Sequence, residues 1–368
     1  MARIFFTQTQ NVELVVEGGE PRGGSVVETM VWMKSLNELG QEILLAKFSD
    51  DLRKQLVEYS WVKLTPIYDS LAYKKKLVWF TYRFPKIFQV FRDQKPDIIY
   101  SSIPTWHVFF IAIICKLLGI KHIIRVANDP DVDSTLMPQV PRHQNWMRDL
   151  SYKLADLVIA QNKFQFETLK RNFPNTRVEK LFNPIELDQR FLKPKKRMEG
   201  YIAWLANFRH QKNLRLLFEV ATAFPSETFK VAGQPLNPLD AETEEFLDKL
   251  SALSNVQFVG VVKRDEVLEF LNHAKFLLST SRYEGFSNTF LESMVVGTPI
   301  ISTSSVNPDG IITDYELGII YQSAEDLKRV FGDFDLASYL RKSHNCIDFV
   351  KKNHDHLALG RMLLSYLN

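Results

Sequence analysis

Short apolar runs alternate along this chain with stretches in which apolar residues recur every third or fourth position. Residues 3–7, 42–48, 97–101, 122–126 and 157–160 are short runs rich in Ile, Val, Leu and Phe, and read as strands. Residues 26–39 and 106–118 carry helical spacing, and the first of these stops at Gly40. The alternation breaks at the basic run Lys193-Pro-Lys-Lys-Arg197 and then restarts. Beyond it the pattern predicts strands at 201–205, 229–232, 256–258, 276–279 and 299–303. Helices are predicted at 214–222, 242–250, 266–271 and 289–296. Strands separated by helices imply parallel sheets covered on both faces, with ligands at the carboxyl ends of the strands. The expected class is therefore α/β, doubly wound twice over. A first domain is expected over 1–192, a linker over 193–198 and a second domain over 199–345. A terminal helix within 346–368 is expected to turn back toward the first domain.

The chain has 368 residues, more than one ordinary core accommodates and enough for two domains. Its two cysteines, Cys115 and Cys346, are far apart and belong to no Cys-x-x-Cys, so neither a disulfide framework nor a structural metal is expected. The apolar run after Met1 is too short for a signal peptide. The longest apolar stretch, 106–120, contains His107, Lys116 and Gly119 and falls short of the ~20 residues that span a bilayer. A cytoplasmic protein is expected. Net charge is only +3, but residues 1–197 hold 30 Lys and Arg against 21 Asp and Glu, while 198–368 hold 16 against 22. The first half is thus the side to meet something anionic. Nucleic acid is not the expected partner, because the 193–197 run lacks interleaved aromatics.

The segment 277–301 reads as strand, loop, helix, glycine stop, proline and strand. Within it Glu284 falls in the loop and Glu292 in the helix, with seven residues between them. An ionised carboxylate offers two acceptor oxygens, so each can take a pair of sugar hydroxyls. Gly285 allows close backbone approach, and the N–H groups at Ser287, Asn288 and Thr289 can hold anionic oxygens. Thr289-Phe-Leu-Glu292 also reads as a capping box, a purely structural role for Glu292. In the first half, Gly23 and Gly24 precede Ser25 and Glu28, a second apparent capping box. Asn128-Asp-Pro-Asp-Val-Asp133 follows a strand; its spacing is not that of a calcium loop, and a turn or an acceptor-binding role is expected of Asn128 and Asp129. His107 is a further candidate of the first domain.

Glu284-Gly-Phe-Ser-Asn-Thr-Phe-Leu-Glu292 with Gly297-Thr-Pro-Ile300 resembles the E-x7-E signature of retaining glycosyltransferases of family 4, the glycosyl transferases group 1. Upstream, Trp204-Leu-Ala-Asn-Phe-Arg-His-Gln-Lys-Asn213 resembles the family's strand, loop and helix that hold the donor diphosphate. The resemblance implies the GT-B fold, two Rossmann-like domains facing across a cleft. It implies a nucleotide-diphosphate sugar as donor substrate, no cofactor, and transfer to an acceptor hydroxyl with retention through a front-face route. Carried over by position, Glu292 is the ribose carboxylate, Glu284 lies near the donor sugar, and Lys212 neutralises the diphosphate. The family has Gly-Arg where Ala206-Asn207 stand, and Arg209 is the candidate for the missing charge. Gly285, Phe286, Ser287, Asn288 and Thr289 complete the donor loop. Gly233 and Val261, which follows Gly260, stand near the nucleobase, and Gly23 and Gly24 near the donor phosphate.

Family acceptors include lipid-linked sugars, which implies bacterial cell-surface polysaccharide assembly (exopolysaccharide, capsule or lipopolysaccharide) at the inner face of the cytoplasmic membrane. Residues 74–92 suit such a surface, with six basic residues, no acid and aromatics near helical spacing. The same spacing describes a helix whose aromatics face the core. Two other activities share the donor site: a nucleotide-sugar epimerase, and a non-catalytic nucleotide-sugar-binding partner of another transferase. A dinucleotide oxidoreductase is disfavoured, since no Gly-x-Gly-x-x-Gly follows the first strand.

Overall fold

The computed structural model describes residues 1–21, 23–74, 78–136, 140–332 and 334–367. The chain forms two compact units, residues 1–184 joined by the chain from His356 onward, and Ile185–Asp355. The first unit contains β1 (Arg3–Phe6), β2 (Glu42–Lys47), β3 (Val62–Pro66), β4 (Ile98–Ser102), β5 (Lys121–Arg125), β6 (Leu157–Ala160) and β7 (Val178–Lys180). They form one parallel sheet in the order β3-β2-β1-β4-β5-β6-β7. The second contains β8 (Tyr201–Leu205), β9 (Phe229–Ala232), β10 (Val256–Gly260), β11 (Ala274–Leu278), β12 (Ile300–Thr303) and β13 (Gly318–Tyr321). These are also parallel, in the order β10-β9-β8-β11-β12-β13.

Helices cover the sheets, so central strands are buried on both faces and read as unbroken apolar runs. Phe5 and Phe6 of β1, Leu44 and Leu45 of β2, and Val158 and Ile159 of β6 are all buried. The strands expected from the pattern all form, each within two residues of its expected bounds. The three that the pattern does not announce, β3, β7 and β13, are sheet edges. Edge strands are short or carry charge and proline, as Lys63 and Pro66 of β3 do, and this removes the apolar signal.

Two boundaries differ from expectation. The basic run at 193–198 is not the divide, which falls between Pro184 and Ile185. Lys195 is held within the second unit by its N–H donating to Ser343 Oγ at 2.7 Å and its ammonium donating to the Asn272 carbonyl. Burial there pulls its pKa down to about 8. The terminal segment is two helices, Leu336–Asn353 in the second unit and His356–Ser365 in the first. The latter buries Leu359 and Leu363 against Trp32 and Leu36. Ser35 Oγ donates to the His356 carbonyl at 2.6 Å.

Within 74–92, Lys75, Lys76 and Leu77 lie outside the described residues. The rest forms a π-helical turn, Trp79–Arg83, running into the helix Phe84–Gln94, with Pro85 in its first turn where a missing N–H costs nothing. Trp79, Ile87 and Phe91 are buried in the core, whereas Phe80 is exposed. Among the described residues, no helix is long and apolar enough to cross a membrane.

The helix Gly24–Glu38 starts earlier than expected, with Gly23 as its N-cap at φ 95° and no side-chain cap. Glu28 therefore sits in the second turn, and the expected Ser25–Glu28 capping box does not form. Instead the buried Glu28 carboxylate pairs with Arg125 at the end of β5 and accepts from Trp32 Nε1 and Gln161 Nε2, both at 3.2 Å. Arg125 also donates to Asn183 Oδ1 at 2.6 Å and lies over the Trp32 ring. Removing one charge strands the other in the core, so Glu28→Ala should lower unfolding stability by about 3–5 kcal/mol. Denaturant titration checks this; a loss no larger than that of an exposed Glu→Ala control would show the pair to be energetically idle.

Candidate functional site

β8 and β11 are neighbours, so the loops after their carboxyl ends emerge side by side. The loop after β8 contains the short turn His210–Lys212 and leads into the helix Leu214–Ala223, which Asn213 caps by accepting from Leu216 N at 3.3 Å. The loop after β11 leads into the helix Asn288–Val295. The two loops are laced together. Thr280 Oγ1 accepts from Trp204 Nε1 at 3.0 Å and donates to the Lys212 carbonyl at 2.7 Å. Arg282 N donates to the Gln211 carbonyl at 2.8 Å, and Gln211 Nε2 to the Tyr283 carbonyl at 2.7 Å. The Arg282 guanidinium donates to the His210 carbonyl at 3.1 Å and to Asn213 Oδ1 at 3.2 Å, and pairs with Glu242.

This lacing brings together two residues that the sequence separates by 72 positions: the Lys212 ammonium donates to Glu284 Oε1. Both side chains are largely buried, at 15% and 10% exposure. Arg209, at the mouth of the same turn, is exposed and does not join the pair.

The helix Asn288–Val295 begins one residue before the predicted start, with Ser287 as N-cap. Glu292 is therefore in its second turn and not at the capping position, so the Thr289–Glu292 capping box is not formed. The helix buries Phe290, Leu291, Met294 and Val295, and Glu292 goes under with them. Its carboxylate pairs with Arg264, from the turn Arg264–Glu266 that follows β10. Arg264 was not singled out from the sequence; the available signal was a basic residue four positions beyond Gly260, in another strand-to-helix loop.

Gly285 and Phe286 are buried, and the Phe286 ring lies 5.3 Å from the His354 ring, anchoring the loop. Ser287, Asn288 and Thr289 are half-buried. Ser287 makes no side-chain cap; its hydroxyl bonds that of Thr289 at 2.8 Å. Gly233 is required by close approach. At φ 140° its N–H donates to the Gly260 carbonyl at 2.8 Å, and a Cβ would fall 1.9 Å from the Ala206 carbonyl. Val261, beyond Gly260, is exposed.

The first-unit candidates lie apart in different loops. Gly23 and Gly24 open the Gly24–Glu38 helix. His107 stacks on Trp79 with ring centroids 4.8 Å apart and lines a cavity of about 240 Å³ with Thr7, Gln8, Ser102 and Thr105. Burial, helped by the Arg83 charge, pushes its pKa down to about 4, so the ring is neutral at pH 7. The acidic cluster is committed to local structure. Asp131 Oδ2 accepts from Asn128 N at 2.8 Å, and Asp129 Oδ1 from Asn162 Nδ2 at 2.9 Å and Gln165 Nε2 at 2.8 Å. Asp133 Oδ1 accepts from Thr135 Oγ1 at 2.7 Å. Among the described residues, no group of three or more His, Cys, Asp or Glu is placed to hold a metal ion.

Residues 186–334 match the family model described as Glycosyl transferases group 1. An uncharacterized glycosyltransferase of Methanocaldococcus jannaschii is 25% identical over 240 residues, 59% of this chain and 58% of its own length. The lipopolysaccharide core biosynthesis mannosyltransferase LpsB of Rhizobium meliloti is 26% identical over 206 residues, 51% of this chain and 56% of its own. The matched segments thus span little more than half of these relatives. The structure of HepE from Anabaena, solved in complex with UDP, superposes with a TM-score of 0.76 at 15% identity, covering 100% of this chain and 99% of that one, and at this identity it speaks for the fold alone. Through residues 186–334 the chain is similar to the glycosyl transferases group 1, and its two parallel-sheet units have the α/β fold called GT-B.

Proposed function

We propose that this chain is a retaining glycosyltransferase that moves a sugar from a nucleoside-diphosphate sugar to an acceptor hydroxyl in the assembly of a cell-surface polysaccharide. The observation that carries the reading is the Lys212–Glu284 ion pair at the joined ends of β8 and β11. Glycosyl transfer passes through an oxocarbenium-like transition state while negative charge grows on the leaving phosphate. A cation already fixed where that charge develops needs no reorganisation at the moment of reaction. Lys212 is the proposed cation, and its carboxylate partner the proposed acceptor for hydroxyls of the donor sugar. The helix starting at Asn288, without a side-chain cap, presents the positive end of its dipole on the same side. Glu292 is the proposed ribose ligand, Arg209 a second cation for the diphosphate, and the Gly233 and Val261 loops the nucleobase wall. HepE, which shares the fold, was solved with UDP, and this supports UDP as the first donor nucleotide to try. The lipopolysaccharide core biosynthesis role of LpsB supports the polysaccharide setting.

The acceptor is proposed to reach the first unit from an anionic membrane surface. Leu71 and Phe80 are exposed on either side of the Lys74–Lys76 run in the sequence, and Lys86 and Arg92 are exposed on the helix that follows.

The function is tested by incubating the protein with UDP-, GDP- and ADP-sugars and a lipid-linked sugar pool, then reading the anomeric configuration of the product by NMR. Transfer with retention is expected; inversion, or release of epimerised nucleotide sugar without transfer, would overturn the reading.

Lys212→Ala should lower kcat/KM by about 10²-fold or more through loss of leaving-group stabilisation. Glu284→Gln releases Lys212 to the diphosphate, so it should keep or tighten nucleoside-diphosphate affinity in calorimetry while turnover falls. Weakened nucleotide binding in Glu284→Gln with unchanged kcat would reverse the two roles.

Liposome flotation should show salt-sensitive binding to anionic vesicles, reduced by the triple change Lys74→Glu/Lys75→Glu/Lys76→Glu. Equal partitioning onto neutral vesicles would remove the membrane contact from the proposal.

A further inference from the structure

Glu292 is fixed from two sides by different means. Its backbone is immobilised because Phe290, Leu291, Met294 and Val295 bury the helix in the core, so the helix cannot turn to re-aim the carboxylate. The side chain itself is only 5% exposed, and a carboxylate taken out of water needs a compensating charge. Arg264 supplies it. The guanidinium reaches in from the loop after β10, is 44% exposed, and bonds Glu292 Oε1 through Nη1. A carboxylate has about four lone-pair sites on two oxygens, so one hydrogen bond from arginine leaves Oε2 to accept from two hydroxyls. The contact also ties the loop after β10, which begins at Val261, to the helix that carries Glu292.

We propose that Arg264 is a positioning residue for donor recognition, holding the Glu292 carboxylate in the orientation that accepts the ribose diol of the nucleotide. This rests on the reading of Glu292 as the ribose ligand. Arg264 acts through the carboxylate, so its contribution exists only when the ribose hydroxyls are there to be bound. Lysine at the same position supplies charge, but on a flexible stem in place of the rigid, planar guanidinium that holds Oε1.

The test uses calorimetry on the full chain with whichever of UDP, GDP and ADP binds most tightly, and with its 2′-deoxy analogue. The protein should prefer the ribonucleotide by about tenfold, the scale of a hydrogen bond to a charged group. Arg264→Gln should weaken the ribonucleotide about tenfold, leave the deoxynucleotide within about twofold, and so erase the preference. Arg264→Lys should restore part of it, and the Arg264→Gln/Glu292→Gln double variant should bind no more weakly than Glu292→Gln alone. Equal weakening of both nucleotides by Arg264→Gln would overturn the proposal in favour of a contact to phosphate or base, and no change in either would overturn it outright. If Glu292→Gln keeps the full ribose preference, it is the ribose reading of Glu292 that fails, not the role of Arg264 toward that carboxylate. Deoxynucleotide binding retained by each variant shows that it is folded.

Discussion

A parallel strand can be joined to its neighbour only by a crossover, and every crossover leaves from the carboxyl edge of the sheet. That constraint organises the second unit. The loops after β8, β9, β10 and β11 all emerge on one edge and bring together Lys212, Gly233, Arg264 and Glu284, which are dispersed over some 70 residues of sequence. The edge is then made rigid by polar lacing: Trp204 to Thr280, Thr280 to the Lys212 carbonyl, Gln211 to Tyr283, and Gly233 to Gly260. The first joins a side chain of β8 to the loop after β11, and the other three satisfy loop backbone groups that would otherwise lack partners.

The two units solve one local problem in the same way. Each places a glutamate in the second turn of the helix that follows a strand-end loop, Glu28 after Gly23 and Glu292 after Ser287. Each glutamate is buried, and each is matched by an arginine from a different strand end, Arg125 at the end of β5 and Arg264 in the loop after β10. The difference lies in exposure. Arg125 is closed inside the first unit with Gln161 and Asn183, which makes its pair structural. Arg264 is almost half exposed, so the Glu292 pair borders on solvent where the first pair does not. The Lys212–Glu284 pair stands between these cases, largely buried yet formed by two loop residues.

Residues 74–92 show how one pattern serves two surfaces. Helical spacing of aromatics fits a membrane face and a core face equally, because both reward apolar area. The fold resolves the pattern position by position: Trp79, Ile87 and Phe91 enter the core of the first unit, while Phe80 stays outside with Lys86 and Arg92.

The sequence by itself determined the class of fold and most of its elements, because buried parallel strands are continuous apolar runs and the helices between them keep a 3.6-residue period. It also carried the resemblance to the glycosyl transferases group 1, through Glu284, Glu292 and the Gly297-Thr-Pro turn, which lie inside the segment that the family model matches. Edge strands β3, β7 and β13 escaped it, their apolar signal being diluted by charge, proline and brevity. The unit boundary and the split terminal helix escaped it as well, because Lys195 and His356 are fixed by partners far away in sequence. Only the tertiary structure moved Glu28 and Glu292 out of their capping boxes, since helix starts one or two residues earlier change which turn a residue occupies. Only the tertiary structure, too, supplied their arginines, for no local spacing reports which strand end lies beside which helix.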